Sequence, residues 1–479
     1  MLALGLACLC STGCGSGSGS MIPSPPSPPG NSAVTLLLTS TGNDRLTAFG
    51  INLASIELFN GNGTSVELYS DADAGTSLSP EFMHLNGPVE PVATATLPQG
   101  TYTSATVTTF SCSFTTLGIS PATGGMETST YAQGLCGQGT GATTVNLPQP
   151  IVVRGSSVVL ALDLGVSQSY TLTIPGAPGV YTISPVFTLS KLAVAAQPTN
   201  EQNGKIVGLP ALISSIDQTN NSIGIHVSNG ADFSVGTNAS TVYQGISDFS
   251  SLSTGIVANL DIAIQPDGSF EATRVELDDP NEPALIVGPW LSSDNGGDPY
   301  TWTMQPVDLF NCTVGAPPIC GGIFHNTSST VFGISQQFGN VSSLPFTATL
   351  NNSANFAGQN LGAYVGTDYN DRSGETVTTA MLEPQTINGT VSGMSTQNGF
   401  SVYTVQLASY DPIVTLESAM PVPPVNNPAS VIVYVDSNAQ LLNSLPVESG
   451  NLARFRGVIF DDSGTLRMDC SEVLDGVTE

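Results

Sequence analysis

Short runs of apolar residues, broken by turn residues, dominate the chain from residue 33 onward. Residues 34–39 are apolar and β-branched, and 51–58 have large apolar residues at 51, 53, 56 and 58 before an Asn-Gly-Asn-Gly turn at 60–63 and a second run at 66–69. An Asn-Gly turn between two such runs predicts a β-hairpin. No stretch keeps a helical period over a dozen residues, so the pattern predicts an all-β protein of sandwiches or barrels. Further strand-like runs lie at 102–110, 151–153, 158–164, 170–174 and 181–192.

Three later segments share a second pattern, in which an apolar run is followed by a tight glycine turn and a returning run. They cover residues 255–277, 358–382 and 450–470, with glycine turns at 267–268, 373–374 and 463–464. The turns are spaced by roughly 100 residues, which suits a small domain and is too long for a solenoid repeat. The spacing therefore predicts three related domains in tandem.

Residues 97–102 read Leu-Pro-Gln-Gly-Thr-Tyr and precede a predicted strand. With Leu-Ala-Leu-Asp at 160–163 and Tyr-Thr-Ile-Ser-Pro-Val at 181–186, they make this region resemble a domain family of unknown function at the N-terminus of bacterial secreted lipoproteins. The motif of that family is Leu-Pro-x-Gly-x-Tyr, which transthyretin-like sandwiches also contain. The resemblance implies a transthyretin-like β-sandwich over residues 33–196.

The three repeated segments resemble a second family of unknown function, the small OB-like β-barrels that recur in tandem in exported bacterial proteins. The copy at 203–282 carries the resemblance best, opening with Gly-Lys-Ile-Val at 204–207 and closing with Ala-Thr-Arg-Val at 272–275. The copies at 283–384 and 385–479 are more divergent. Together the two resemblances imply an N-terminal sandwich followed by three barrels.

The N-terminus has the features of an export signal. Residues 1–13 form an apolar run too short to span a bilayer as a helix, as in a signal peptide. Ser-Thr-Gly-Cys at 11–14 resembles the lipobox of bacterial lipoproteins, which implies a signal peptide over 1–14, acyl chains on Cys14 and, with Gly15 next, sorting to the outer membrane. A Gly/Ser/Pro-rich linker follows at 15–32. An ordinary signal peptide cut elsewhere, or a tethering helix, remains the alternative.

Charge and composition exclude several classes of protein. The chain of 479 residues has 9 Lys+Arg against 37 Asp+Glu, a formal charge of −28. Nucleic-acid binders need clustered cations, so no nucleic-acid partner is expected. The same charge opposes docking on anionic lipids, and we expect the membrane to be a partner only through the acyl chains on Cys14. An apolar content of 40% is enough to form a core.

Five cysteines remain after the signal region. In an oxidising envelope compartment, near neighbours would pair as Cys112–Cys136 and Cys312–Cys320. Cys470 is left over, as a buried thiol or an intermolecular partner. No Cys-x-x-Cys motif occurs, so these cysteines do not predict a metal site.

Signatures of catalysis are missing from the mature chain. It contains no Gly-x-Ser-x-Gly elbow, no His-Glu-x-x-His and no phosphate-binding Gly-x-x-x-x-Gly-Lys motif. His84, His226 and His325 fall in three different predicted domains, where each is expected to be a core or surface residue. Glu81 and His84 lie three apart, but without a helix this spacing has no geometric force. The sequence therefore predicts no catalytic residue, no cofactor and no metal ligand set.

Two weak ligand candidates remain. The run at 368–375 resembles an EF-hand loop superficially, but no glutamate stands at the twelfth position of the loop, where an EF-hand has one. A solvated turn is therefore expected there, with calcium binding as the alternative. In a sparse aromatic group, Tyr300 and Trp302 share one face of a predicted strand, and Trp290 is close in sequence. Core packing or a domain interface is the expected role of these side chains, and a sugar-binding platform is the alternative. The weak calcium candidates are Asp368, Asn370 and Asp371, and the aromatic candidates are Trp290, Tyr300 and Trp302.

The expected function is a non-enzymatic, lipid-anchored protein of the bacterial cell envelope whose β domains act as a spacer or as a binding or adhesion module, with an envelope protein or a glycan as the candidate partner. The alternative is an exported hydrolase acting on glycans, with its site in an interdomain or barrel-mouth cleft. A deep cleft lined by two carboxylates, or by serine and histidine, would favour the alternative.

Overall fold

In the computed structural model the protein is nearly all β, with 63% strand and 6% helix, as the sequence predicted. The structure describes residues 30–42, 45–74, 78–119, 126–134, 136, 141–173, 180–282, 284–293, 300–311, 323–335, 338, 341–348, 350, 355–365, 375–419, 425–442 and 446–475.

The N-terminal domain is a β-sandwich. One sheet has the order β12-β9-β1-β4 and the other β3-β2-β5-β6, with β7 and β8 added to β5, and β10 and β11 form a separate hairpin. The elements are β1 (Asn31–Thr41), β2 (Leu46–Asn60), β3 (Ser65–Ser70), the short helix α1 (Asp71–Ala74), β4 (Glu90–Pro98), β5 (Gly100–Ile119), β6 (Met126–Gly134), β7 (Ala142–Val145), β8 (Ile151–Val153), β9 (Ser157–Gly165), β10 (Tyr170–Thr173), β11 (Val180–Ile183) and β12 (Phe187–Leu192).

Local sequence accounts for two features of this sandwich. The turn between β2 and β3 contains Gly63 at φ +79, as the Asn-Gly signal predicted. In the Leu-Pro-x-Gly-x-Tyr segment, the buried Tyr102 donates its hydroxyl proton to the carbonyl of Pro98 at 2.7 Å, which fixes the turn from β4 into β5. The predicted disulfide Cys112–Cys136 is confirmed and ties β5 to the segment after β6.

Three barrel domains follow. The first contains β13 (Lys205–Asp217), β14 (Ser222–Val227), β15 (Asp232–Gly236), β16 (Val242–Gln244), β17 (Val257–Ile264) and β18 (Phe270–Glu276). The second contains β19 (Ala284–Ser293), β20 (Tyr300–Met304), β21 (Asp308–Phe310), β22 (Ile323–Ile334), β23 (Asn360–Val365) and β24 (Glu375–Leu382). The third contains β25 (Gln385–Gln397), β26 (Phe400–Leu407), the helix α2 (Pro412–Ala419), β27 (Ser430–Leu441), β28 (Leu452–Asp461) and β29 (Leu466–Asp475). Short 3₁₀ turns lie at Val166–Gln168, Glu201–Asn203, Phe249–Ser251 and Val341–Ser343.

All three barrels have one strand order. The third is a closed barrel, β25-β26-β27-β29-β28, in which β27 and β29 are parallel and the other neighbours antiparallel. The same order closes the first barrel through the parallel pair β15–β18 and the second through the parallel pair β22–β24. A five-stranded Greek-key barrel of this kind has OB-like topology.

The repeated sequence pattern corresponds to the fourth and fifth barrel strands. Gly255, Gly358 and Gly450, each a few residues before the fourth strand, have φ of +85, +92 and +92, a conformation that glycine adopts without strain. Gly268 and Gly464 turn the hairpins into the fifth strand. The glycine turn at 373–374 lies outside the described residues.

Helix α2 was not predicted. It is a single eight-residue element, too short to show a helical period. Asp411 caps it by accepting the backbone N–H of Ile413 at 2.8 Å, and Pro412 occupies its first position. An Asp-Pro pair is a recognised signal for the N-terminus of a helix, and residues 411–412 provide it in this sequence.

The sandwich packs against the first and third barrels. Asn229, in the turn after β14, donates to the carboxylate of Glu90 at 3.0 Å. Arg454 on β28 donates from Nη1 to Oδ1 of Asn86 at 2.6 Å, although 368 residues separate the two. The first and last barrels therefore both contact the same side of the sandwich.

The second barrel contacts both the first and the third barrel. Tyr364 on β23 donates to Asp278, just after the first barrel, at 3.2 Å. Gln359 donates from Nε2 to the carbonyl of Ile459 in the third barrel at 3.0 Å. Each domain thus contacts the next and the last contacts the first, so the four domains form a closed arrangement rather than an extended string.

Candidate functional site

The four domains enclose a cleft of about 670 Å³. The sandwich contributes the segment 83–90, the first barrel β13, β17 and β18, and the other barrels their facing strands and loops. Small-molecule sites have volumes of about 300–1,000 Å³ and form preferentially between domains. Size and position therefore make this cleft the candidate binding site.

The cleft is rich in acidic groups. Eight carboxyl side chains line it, against three Lys or Arg side chains and one histidine. Oxygen acceptors therefore outnumber cationic donors, which favours ligands that carry hydroxyl or amino groups. The ionisable lining residues are His84, Glu90, Lys205, Asp261, Arg274, Asp308, Glu383, Asp411, Asp436, Arg456, Asp469 and Glu472.

One wall of the cleft is an ion-paired network of the first barrel. Asp261 accepts from Nη2 of Arg274 at 2.9 Å and lies 3.3 Å from Nζ of Lys205. It also accepts the backbone N–H of Gly208 at 2.9 Å. Burial disfavours the ionised Asp261, but Arg274 and Lys205 outweigh burial and hold its pKa below the usual range. The Asp261 carboxylate is therefore fully engaged within this wall.

Two cleft carboxyls are not engaged in this way. Burial, together with the nearby Asp278, raises the pKa of Glu383 to about 8, against the attraction of Arg456. Burial, and then Asp436, raises the pKa of Asp469 to about 6. Within the described part of the chain, neither carboxyl hydrogen-bonds to another residue. Both are therefore available to donate or accept a hydrogen bond from a ligand.

A buried carboxyl pair joins the interdomain linker to the third barrel. Glu201, in the linker after the sandwich, faces Glu472 on β29, and Arg456 Nε lies 3.7 Å from Glu472 Oε2. Burial and the Glu472 carboxylate raise the pKa of Glu201 to about 9. Glu201 is therefore protonated and neutral near pH 7, so Arg456 alone balances the charge of the Glu201–Glu472 pair.

The opposite end of the cleft holds a histidine among three carboxylates. Nε2 of His84 lies 2.9 Å from Glu90 Oε1, and Nδ1 lies 3.2 Å from Glu81 Oε2 and 4.0 Å from Asp308 Oδ1. Burial opposes the charged imidazole, but Asp308, Glu90 and Glu81 together raise the pKa of His84 well above its ordinary value. Burial also raises the pKa of Asp308 to about 6. This cluster combines side chains of two domains.

The two tryptophans have the expected core-packing role. Trp290 and Trp302 are each 2% exposed in the core of the second barrel, and Trp302 donates from Nε1 to Asn326 at 3.0 Å. The alternative, a sugar-binding platform, does not hold for these two residues, because their rings fill the barrel interior. Tyr300 begins β20, but its side chain lies outside the described residues.

Other predicted residues also fall outside the described part of the chain. These are the lipobox Cys14, the cysteines Cys312 and Cys320, and the calcium candidates Asp368, Asn370 and Asp371. Cys470 is a buried free thiol, as one of the two alternatives predicted, and burial raises its pKa.

Sequence reasoning missed the cluster around His84. The Glu81-x-x-His84 spacing predicts a contact only on a helix, and the sequence predicts no helix there. In the structure an irregular segment, rather than a helix, brings the two side chains together. The other two histidines behave as expected of ordinary residues. His226 is exposed beside Asp232, and His325 Nδ1 contacts Thr301 Oγ1 at 2.9 Å.

Comparison with known proteins adds no identity: no protein-family model matches the chain, and no curated protein matches it. Among the described residues, no helix is both long enough and apolar enough to cross a membrane.

Proposed function

We propose that this chain is a non-enzymatic, lipid-anchored protein of the bacterial cell envelope, and that its four β domains form one binding module with the interdomain cleft as the ligand site. The observation that carries the proposal is the closure of four domains around one polar cleft. A simple spacer would need no such closure, because an extended string of domains spans more distance.

The chemistry of the cleft defines the ligand class. Glu383 and Asp469 present unengaged carboxyls, while Lys205, Arg274 and Arg456 supply a smaller cationic component. Carboxyls accept hydrogen bonds from sugar hydroxyls and amines. The ligand is therefore a small polyol or amino sugar of the kind found in envelope glycans.

The test is calorimetric titration of the purified protein with soluble amino-sugar oligomers from cell-wall glycan. We expect saturable binding that falls at least about 10-fold in the Glu383→Gln/Asp469→Asn double variant, because each buried hydrogen bond to a ligand contributes about 1 kcal/mol. Glu448→Gln, an exposed glutamate outside the cleft, is the matched control. Equal binding by both variants, or no binding by the wild type, would refute the cleft as this site.

A second function, hydrolysis of glycans, is favoured by one observation. The Glu383 carboxyl has a pKa of about 8, the raised value that a general acid requires, and it makes no hydrogen bond among the described residues. In that case the wild type would release reducing ends from the bound oligomer, and Glu383→Gln would abolish release while binding persisted. Binding without release supports the non-enzymatic proposal.

The anchor is tested separately. We expect Cys14→Ala to move the protein from the membrane fraction to the soluble fraction, because the acidic domains have no affinity for anionic lipid. A Cys10→Ala variant controls for damage to the signal region. If the Cys14→Ala protein still sediments with membranes, the lipidation proposal is wrong.

A further inference from the structure

Three side chains with metal-ligating atoms converge where the sandwich meets the second barrel. His84 and Glu90 come from the sandwich and Asp308 from β21, and one ligand atom from each lies within 4.8 Å of the others. Each of the three lines the interdomain cleft. The His84 side chain is 19% exposed, so a small ion has access.

The histidine of this cluster is oriented by a fixed acceptor. Oε2 of Glu81 lies 3.2 Å from Nδ1 of His84, and the Glu81 carboxylate is itself held by the backbone N–H groups of Phe49, Met83 and His84 at 2.6, 3.0 and 3.0 Å. A carboxylate on one ring nitrogen is the usual outer-shell partner of a metal-binding histidine, because it fixes the tautomer and the ring. Nε2 is then left facing Glu90 at 2.9 Å.

The two carboxylates are positioned in the same way. Oε2 of Glu90 accepts a hydrogen bond from Nδ2 of Asn229 at 3.0 Å, which leaves Oε1 facing His84. Asp308 accepts a hydrogen bond from Ser228. Both donors belong to one turn of the first barrel, so a third domain supports the cluster.

The cluster carries an excess of negative charge. Glu81, Glu90 and Asp308 surround a single imidazole, and even a doubly protonated ring leaves two negative charges uncompensated. No Lys or Arg in the described part of the chain forms an ion pair with these three carboxylates. Buried charges need a partner or a metal ion, and a divalent cation supplies the missing charge.

We propose that His84, Glu90 and Asp308 form a binding site for a divalent transition metal ion, with Zn²⁺ as the best fit, at the junction of three domains. One imidazole and two carboxylates are a ligand set that zinc accepts. Bond lengths of about 2.0–2.2 Å place tetrahedral donors about 3.4 Å apart, so Glu90 has to draw back slightly from Nε2 and Asp308 has to approach it. Zinc takes the place of the Nε2 proton. Three protein ligands leave a fourth position, which opens towards the cleft.

The test uses the purified full chain, freed of metal with a chelator and titrated with ZnCl₂ alone. We expect one saturable site for zinc in the wild type, and a loss of about 100-fold or more in zinc affinity for His84→Gln. Removing an outer-shell partner already lowers metal affinity by about 10–100-fold, and removing a direct ligand should lower it at least as much. His226→Gln is the matched control, because His226 also has a carboxylate six residues later, at 3.0 Å, but is exposed and belongs to no group of three ligands among the described residues. Titration with CoCl₂ adds a visible spectrum that reports nitrogen and oxygen ligands.

A folding defect is separated from ligand loss by exchanging the third ligand. Asp308→Ala should lose zinc, whereas Asp308→Cys should regain it, because a thiolate is also a zinc ligand. The far-ultraviolet circular dichroism of each variant monitors the fold. Absence of saturable zinc binding by the wild type, or equal binding by the His84→Gln and His226→Gln variants, overturns the proposal. Neither result depends on which glycan, if any, the cleft binds.

Discussion

The interiors of the barrels and the interfaces between the domains, here called the seams, differ in how much polar contact they contain. In the third barrel, the core consists of apolar side chains such as Phe455, Ile459 and Met468, all fully buried. Across the seams, buried apolar contacts continue, as where Val458 and Phe460 of the third barrel join the core of the second. Polar contacts are added to them there, such as Arg454 with Asn86 and Glu417 with the second barrel.

The two kinds of contact have different physical roles. Apolar burial is non-directional and gives each barrel most of its stability. Hydrogen bonds and ion pairs contribute less net free energy but are strongly directional, so they fix how the domains are arranged. Apolar burial therefore holds the domains together across the seams, and the polar contacts add direction to the arrangement that shapes the cleft.

The largest loss of stability is expected from a substitution in a barrel interior. Phe455→Ala removes a fully buried ring from β28 and should lower the free energy of unfolding by about 3–5 kcal/mol through lost burial and a cavity. Leu452→Ala, on the same strand but 44% exposed, is the matched control and should change little. Denaturant unfolding followed by circular dichroism measures both. Similar losses for the two variants would contradict the assignment of stability to the interior.

The same division separates what could be predicted from what could not. The barrel hairpins follow from local signals, such as alternation and the positive-φ glycines Gly268 and Gly464, and so does the near-neighbour disulfide Cys112–Cys136. The seams join residues without any local pattern: Arg454 meets a residue 368 positions away. One sequence alone does not encode such long-range pairs in its periodicity. An interdomain cleft was therefore expected only as the site of the alternative hydrolase, and its lining residues and the ligand cluster were missed.

The next largest predicted effect is a pH dependence of the unfolding free energy, caused by a group at the seam between the second and third barrels. Glu417 on α2 is fully buried and accepts the N–H of Ala357 at 2.5 Å, while burial raises its pKa from 4.5 to about 7. The folded state keeps a proton that the unfolded state has lost, so stability falls as pH rises from about 4.5 to about 7, by roughly 3 kcal/mol. Above pH 7 this contribution is constant.

The wild type and Glu417→Gln should therefore diverge across that window. Glutamine keeps an oxygen for Ala357 but does not ionise, so its unfolding free energy should lose this part of the pH slope. Denaturation midpoints at several pH values give the difference curve, with Glu448→Gln, an exposed glutamate of the same barrel, as control. Parallel curves for wild type and Glu417→Gln would show that Glu417 does not titrate in this way.

A smaller effect is expected at the seam between the sandwich and the third barrel. Oδ1 of the buried Asn86 accepts from the N–H of Gly42 at 3.2 Å and from Nη1 of Arg454 at 2.6 Å. Asn86→Ala removes this acceptor and should cost about 2 kcal/mol, the penalty for disrupting buried hydrogen bonds. Limited proteolysis of the linker at 193–200 should also accelerate as the domains loosen. Asn62→Ala, at an exposed turn, should change neither measurement.

The smallest effect is expected at a surface pair that resembles part of the His84 cluster. His226 and Asp232 lie six residues apart and 3.0 Å from each other, like His84 and Glu90, but their side chains are 43% and 66% exposed. Water screens such a pair, so His226→Gln should change the unfolding free energy by less than about 0.5 kcal/mol. Adding salt should not widen this difference, since an exposed pair is already weak. A loss comparable to that of Asn86→Ala would mean that spacing along the chain, rather than position at a seam, determines what a histidine–carboxylate contact contributes.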